Sequence, residues 1–160
     1  MKKKLVLSLG SNLGNRYAYI RQAITYIEEC FAAPCVCSSY YTTPPWGETE
    51  QAQFINMALY IETHQSMDKC LTQLQAIELK LGRVKTKKWG PRSIDIDILF
   101  YEDNQVTTEA LTVPHPHMHE RVFVLKPVCD IVPDFFHPVL KVTMKNLLRE
   151  LVDDSMLFCN

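Results

Sequence analysis

The chain predicts an α+β fold: a ferredoxin-like βαββαβ core, with an antiparallel sheet carrying both helices on one face, followed by a C-terminal extension. The first observation is an alternation of short period-two apolar runs with amphipathic stretches of period near 3.6. They come in the order strand, helix, strand, strand, helix, strand. The second is that beyond Tyr101 the regularity gives way to proline-punctuated sequence, with Pro114, Pro116, Pro127, Pro133 and Pro138.

Leu5, Leu7 and Leu9 alternate within a first strand that ends at the turn-rich Gly10-Ser11-Asn12-Leu13-Gly14. Asn15 can cap a helix whose stripe is Tyr17, Ile20, Ile24, Ile27 and Phe31. Pro34 punctuates, and the β-branched and aromatic run Cys35 to Thr43 predicts a second strand. After a polar loop from Pro44 to about Gln53, Phe54 to Thr63 alternates with Ile55, Met57, Leu59 and Ile61 on one face. Ser66 can cap a second helix with the stripe Met67, Leu71, Leu74, Ile77 and Leu81, stopped by Gly82. The loop Gly82 to Pro91 leads into a fourth strand, Ile94 to Tyr101. There Ile94, Ile96, Ile98 and Phe100 should face one way, with Asp95 and Asp97 facing the other. A last helix is expected near Thr143 to Val152, in an extension packed on the same domain.

With 160 residues, the chain fits one domain spanning 1–160 and can bury a real core. A net charge of −1 gives the whole molecule no reason to coat nucleic acid or a membrane, so anion binding must come from a local basic cluster. The apolar run Leu5 to Leu9 is shorter than a signal-peptide core, and no stretch reaches spanning length, so a cytoplasmic protein is expected. The cysteines Cys30, Cys35, Cys37, Cys70, Cys129 and Cys159 form no C-x-x-C pair and read as reduced, mostly buried thiols.

Asp95-Ile96-Asp97 carries the chemistry. Carboxylates two apart on a strand converge and repel unless a cation sits between them, and hard oxygen ligands in that pose suit magnesium. A bare D-x-D is more often the mark of a solvated strand face. The basic loop just upstream, with Arg83, Lys85, Lys87, Lys88 and Arg92 around Trp89, turns the pair into a polyphosphate site. Glu78 falls close to the apolar stripe of its helix and needs a partner or a purpose. Arg83, just past Gly82, could pair with it, in a structural or a site-organising role. His115, His117 and His119 alternate and could share a face as metal ligands, but a single histidine donating to phosphate fits better, since no acid or thiol accompanies them. The loop after the first strand lacks the ending of a P-loop and reads as a turn into a helix.

The run Gly82-Arg83 with Trp89-Gly90-Pro91-Arg92-Ser93-Ile94-Asp95-Ile96-Asp97 resembles the signature of the 6-hydroxymethyl-7,8-dihydropterin pyrophosphokinase family. Leu9-Gly10-Ser11-Asn12-Leu13-Gly14, Tyr41-Thr42-Thr43-Pro44-Pro45 with Phe54-Ile55-Asn56, and Leu111-Thr112-Val113-Pro114-His115 with Arg121 agree in the same order. The resemblance implies transfer of the pyrophosphoryl group of ATP to the pterin hydroxymethyl oxygen in folate biosynthesis, with release of AMP. It implies two magnesium ions held by Asp95 and Asp97, and a catalytic set of Asp95, Asp97, Arg83 and Arg92. By the same resemblance ATP would be met by Glu78, Lys85, Trp89, Arg92, Ile98, Leu111, Thr112, His115 and Arg121. The pterin would be met by Thr43, Pro44, Trp46, Phe54, Asn56, Asp95 and Phe123. Two aromatic rings can sandwich a flat heterocycle and an asparagine amide can read its edge, although Phe54 alone fits ordinary core packing equally well. Pro116, Lys85, Lys88 and Trp46 depart from residues common at these positions in the family.

The expected partners are therefore small molecules, ATP and hydroxymethyldihydropterin, bound by a monomer, with no nucleic acid and no membrane. Two rival readings remain at this level. An RNA-binding module of the same core would carry aromatic and basic residues on its open sheet face. A metal-dependent phosphatase or nuclease would hydrolyse ATP without pterin.

Overall fold

The computed structural model describes residues 1–43, 52–83 and 92–156. Strand β1 (Lys3–Ser11) leads through the Asn15 cap, whose side chain accepts the Ala18 N–H at 3.1 Å, into helix α1 (Arg16–Phe31). Two short strands follow, β2 (Val36–Cys37) and β3 (Tyr41–Thr43), then β4 (Phe54–Thr63) and α2 (Met67–Lys80). Strand β5 (Asp95–Tyr101) completes the sheet, whose order is β2-β4-β1-β5 with β3 also on β4, every pairing antiparallel.

The second strand expected from the sequence is thus interrupted. At the break the Ser38 hydroxyl accepts the Ala58 N–H at 2.8 Å, and Asp130 accepts the Ser39 N–H and the Tyr41 hydroxyl. Side chains replace ladder bonds there, so the backbone can jog without leaving polar groups unpaired.

One face of the sheet meets α1 and α2. Leu5, Leu7 and Leu9 of β1 and Ile55, Met57, Leu59 and Ile61 of β4 bury against Ile20, Ile27, Cys70, Leu74 and Ile77. The other face meets the C-terminal extension, where Val6, Ala58, Leu99 and Phe100 bury against Leu125, Val128, Met144 and Leu147. The extension consists of a hairpin of β6 (Val106–Thr107) and β7 (Thr112–Val113), helix α3 (Val122–Ile131) and helix α4 (Met144–Met156). The chain is therefore a mixed helix and antiparallel-sheet fold in three layers.

Three expectations need correcting. Phe100 does not share a face with Ile94, Ile96 and Ile98. The β1–β5 register shifts between Val6 and Leu7, so Ile98 opposes Leu7 while Phe100 opposes Val6, and Leu99 is the extra residue of a bulge. Beyond it Phe100 turns to the second core, which is what lets the start of β5 carry acids while its end carries an aromatic. Helix α3 occupies part of the proline-punctuated stretch where no helix was expected, with Pro127 inside it. Packing of Val124, Leu125 and Val128 against the sheet outweighs the lost hydrogen bond. Among the described cysteines only Cys70 is buried. Cys30 and Cys37 are exposed, and all five are free thiols.

Candidate active site

The second face of the sheet divides into two ends. The Val6 end is covered by α3 and α4, whereas the other end is polar. Cross-strand register places Asn56 opposite Gly10 and Gly10 opposite Asp95, so the three form one row across β4, β1 and β5. The next row is Ala58, Ser8 and Asp97. Since strands lie about 4.8 Å apart, Asn56 and Asp95 stand roughly 10 Å from one another across a floor with no side chain. Gly10 is required there, because a Cβ on it would lie 2.9 Å from Asn56 Oδ1 and 3.6 Å from the Phe54 ring.

Asn56 is 7% exposed, and its Nδ2 donates to Thr43 Oγ1 at 2.5 Å, which fixes the orientation of the amide. Thr43 is the register partner of Phe54, so both lie on this face with Asn56. Phe123 arrives from α3, which packs over the same face, and is half-buried against the second core. The structure thus brings Thr43, Phe54, Asn56 and Asp95 to one end of one sheet face, with Phe123 against the second core on that same face. Pro44, Trp46, Lys85 and Trp89 lie outside the described residues.

β5 is an edge strand, and its free edge faces α2. Glu78, 7% exposed, meets the edge with Oε2, which accepts the Ile96 N–H at 2.8 Å. Just past the end of helix α2, Gly82 has a φ of 86°, and Arg83 N–H closes back on the Glu78 carbonyl at 3.0 Å. This left-handed closure turns Arg83 over the end of the helix. Its guanidinium then bridges Glu78 Oε2 at 2.9 Å and Asp95 Oδ1 at 3.1 Å. Arg92 holds Asp95 from the other side, with Nη1 3.1 and 3.0 Å from the two carboxylate oxygens.

Charge is unevenly distributed over these acids. The Glu78 carboxyl is raised, first by burial and then opposed by the Ile96 N–H and Arg83. Asp97 is pushed up to about 7 by desolvation, then by the charges of Asp95 and Glu78, with Arg83 and Arg121 opposing. Its side chain meets solvent, so water relieves part of the burial penalty. Repulsion from Asp95 is the component a cation between the two would remove. The donor set therefore fits magnesium, which takes one or two carboxylates and fills its shell with phosphate and water. Among the described residues no group of three or more His, Cys, Asp or Glu is arranged to hold a metal, so an all-protein cage is excluded there.

Outside the β5 edge lies a cleft of about 340 Å³ between α2 and the β6–β7 hairpin, within the range of small-molecule sites. Its walls include Glu78, Arg83, Asp97 and Ile98 on one side and Leu111, Thr112 and His115 on the other. Ile96 donates its N–H outward to Glu78, and residues two apart on an edge strand share that orientation, so the Ile98 main chain also faces this cleft. His115 Nδ1 accepts the His117 N–H at 3.2 Å, which leaves the proton of a neutral ring on Nε2. Burial, with Arg121 and His117 beside it, lowers that imidazole to about 4. A three-histidine ligand set does not form, because the 3-10 turn Met118–Glu120 carries His119 toward His137, 6.5 Å between ring centroids.

Sequence reasoning passed over four residues of this region. Leu71 and Gln75 line the cleft, and their spacing of four and three residues from one another and from Glu78 is the signal that puts them on its helix face. Gly10 and Asn12 stood in a loop read as a turn and in a string that resembles the family, and neither was given a role in the site.

A family model described as 7,8-dihydro-6-hydroxymethylpterin-pyrophosphokinase (HPPK) matches residues 6–133. The 2-amino-4-hydroxy-6-hydroxymethyldihydropteridine pyrophosphokinase of Bacillus subtilis is 44% identical over 126 residues, covering 78% of this chain and 75% of the relative. The protein of that name from Methylorubrum extorquens is 43% identical over 129 residues, covering 80% and 82%. Among solved structures, wild-type Plasmodium falciparum HPPK-DHPS with pteroate shares the fold with a TM-score of 0.75 at 15% identity. That match covers 96% of this chain and 43% of the longer one. Residues 6–133 and the two relatives carry one conclusion: the chain belongs to the 7,8-dihydro-6-hydroxymethylpterin-pyrophosphokinase family.

Proposed function

We infer that the chain transfers the pyrophosphoryl group of ATP to the hydroxymethyl group of 6-hydroxymethyl-7,8-dihydropterin, yielding the pterin diphosphate and AMP in folate biosynthesis. The observation that carries this reading at the site is the row Asn56, Gly10 and Asp95. It offers a flat heterocycle a bare floor, with an amide at one edge and the carboxylate pair at the other.

On this reading the pterin lies over Gly10, read by Asn56 and Thr43 and stacked by Phe54 and Phe123, and the family resemblance adds contacts from Pro44 and Trp46, which lie outside the described residues. ATP enters the cleft outside β5. Its adenine meets the Ile98 main chain and the Leu111 and Thr112 wall, and its phosphates run toward Arg83, Arg92, His115 and Arg121; the family resemblance adds Lys85 and Trp89, which lie outside the described residues. Asp95 and Asp97 would hold magnesium, two ions on our reading, which when bound neutralises phosphate charge. Arg83 and Arg92 now pair with Asp95. Exchanging that carboxylate for phosphate oxygens frees Asp95 for a cation and commits both guanidiniums to the polyphosphate. In the transfer, the hydroxymethyl oxygen gives its proton to solvent and bonds to the β-phosphorus, and the bond between that phosphorus and the oxygen bridging to the α-phosphate breaks, so AMP leaves. The chain's part is positioning and charge compensation, as is usual in phosphoryl transfer.

The strand order supports a ferredoxin-like core with the second face covered by the extension, the whole chain acting as one catalytic domain. No helix among the described residues is long and apolar enough to cross a membrane. We also propose that it works as a cytoplasmic monomer.

The test is chromatography for AMP and pterin diphosphate after mixing the protein with ATP, magnesium and hydroxymethyldihydropterin. AMP should appear only when pterin is present, and Asp95→Ala or Asp97→Ala should abolish it while leaving circular dichroism unchanged. Pterin-independent ATP hydrolysis would favour the phosphatase alternative. Substantial turnover in both variants would remove the metal assignment.

A further inference from the structure

We propose that Asn12 is a positioning residue that couples the two halves of the site by holding Arg92 and the start of β4 to the end of β1. The proposal rests on the roles assigned above to Arg92 and to Phe54 and Asn56.

Asn12 is 3% exposed, yet it sits in a loop and carries a polar side chain. Its Oδ1 accepts the Arg92 N–H at 2.8 Å across a sequence separation of 80 residues, and its own N–H donates to the Arg92 carbonyl at 3.1 Å. This pair lies beyond the end of the β1–β5 ladder at Gly10 and Asp95, one residue out of its register, and half of it is made by the Asn12 side chain. Its Nδ2 donates to the Ala52 carbonyl at 3.3 Å, 40 residues away on the other flank. One amide therefore uses an acceptor toward the nucleotide side and a donor toward the pterin side. Arg16 adds a second tie, donating to the Gln53 carbonyl at 2.6 Å. Among the described residues the buried hydroxyls of Ser11 and Ser93, next to the linked residues, make no hydrogen bond.

The consequence is geometric. Arg92 reaches Asp95 through a side chain whose root is set by the Asn12 amide, and Phe54 lies two residues beyond Ala52. Misplacement of a positioning group by about 1 Å can cost on the order of a hundredfold in rate.

The experiment is a double-mutant cycle of Asn12→Ala with Arg92→Ala, read by steady-state kinetics and by hydrogen exchange of the Arg92 amide. Asn12→Ala should lower kcat at least tenfold in the wild-type background, but less than threefold once Arg92 is alanine. The Arg92 amide should exchange at least tenfold faster. Asn12→Asp keeps the acceptor for Arg92 and loses the donor to Ala52. It should raise the pterin KM severalfold while leaving the ATP KM within twofold, and it stands in if the alanine variant does not fold. Equal fold-losses in both Arg92 backgrounds, an unchanged Arg92 amide, or equal effects of Asn12→Asp on both KM values would overturn the proposal. Failure of the functional reading would be visible in the wild type, as absent pterin-dependent AMP, and would overturn both.

Discussion

Glu78 uses one carboxylate oxygen twice, accepting the Ile96 N–H at 2.8 Å and the Arg83 guanidinium at 2.9 Å. The first bond satisfies an edge-strand donor that would otherwise be buried and unpaired. The second fixes the arginine that also reaches Asp95. A buried carboxylate with these partners is costly to truncate, because Ile96 loses its acceptor and Arg83, among the described residues, keeps Asp95 alone. Glu78→Ala should destabilise the fold by about 2–3 kcal/mol, with Glu78→Gln milder because an amide oxygen can still accept from Ile96. Urea unfolding of both variants measures this, and a loss below about 0.5 kcal/mol for alanine would mean the edge is satisfied otherwise. The sequence marked Glu78 as anomalous and named Arg83 as a partner from helix periodicity and the Gly82 stop. The Ile96 N–H could not be foreseen, because it depends on which strand lies at the edge.

At the scale of elements, the site follows from strand register. Asn56, Gly10 and Asp95 are distant in sequence and adjacent only because β1 pairs with both β4 and β5. Gly10→Ala puts a Cβ against Asn56 Oδ1 and should displace the amide that Thr43 orients. We expect the pterin KM to rise about tenfold or more, the loss of one good hydrogen-bonded contact, with the ATP KM little changed. Equal changes in both would assign the glycine a purely structural role. The Leu99 bulge is the second device at this scale. Period-two reading carried Phe100 to the wrong face because a bulge inserts one residue without leaving a mark in the apolar pattern. It correctly put Asp95 and Asp97 opposite Ile94 and Ile96, which precede the bulge.

For the molecule as a whole, the extension completes the second core and leaves the acidic end of the sheet open. His137 sits where the extension turns back. It is 4% exposed, packed edge-on against Phe100, with Nδ1 accepting the Val139 and Leu140 N–H groups at 3.1 and 3.0 Å. Burial, with His119 beside it, lowers the ring to about 4 from an ordinary 6.5. The unfolded chain thus binds the proton more readily. The stability contributed by neutral His137 is complete above about pH 6.5 and is lost as pH falls through about 4. His115, also lowered to about 4, adds in the same direction. Urea midpoints should fall across that window, and His137→Gln should flatten the dependence by about 2 kcal/mol. An unchanged slope in the variant would show that other groups govern acid unfolding.

By itself the sequence determined the order and type of the core elements, both helix caps, the opposition of the aspartates to the isoleucines and, through one specific string, the family. These are local or near-local properties, set by periodicity, capping chemistry and side-chain spacing. Only the tertiary structure decided that β5 is an edge, that a bulge turns Phe100 away, that α3 forms around Pro127, and that Gly10 lies between Asn56 and Asp95. Each depends on which segments, tens of residues apart, pack or pair. The free energy that selects them comes from burial of surfaces no single segment contains.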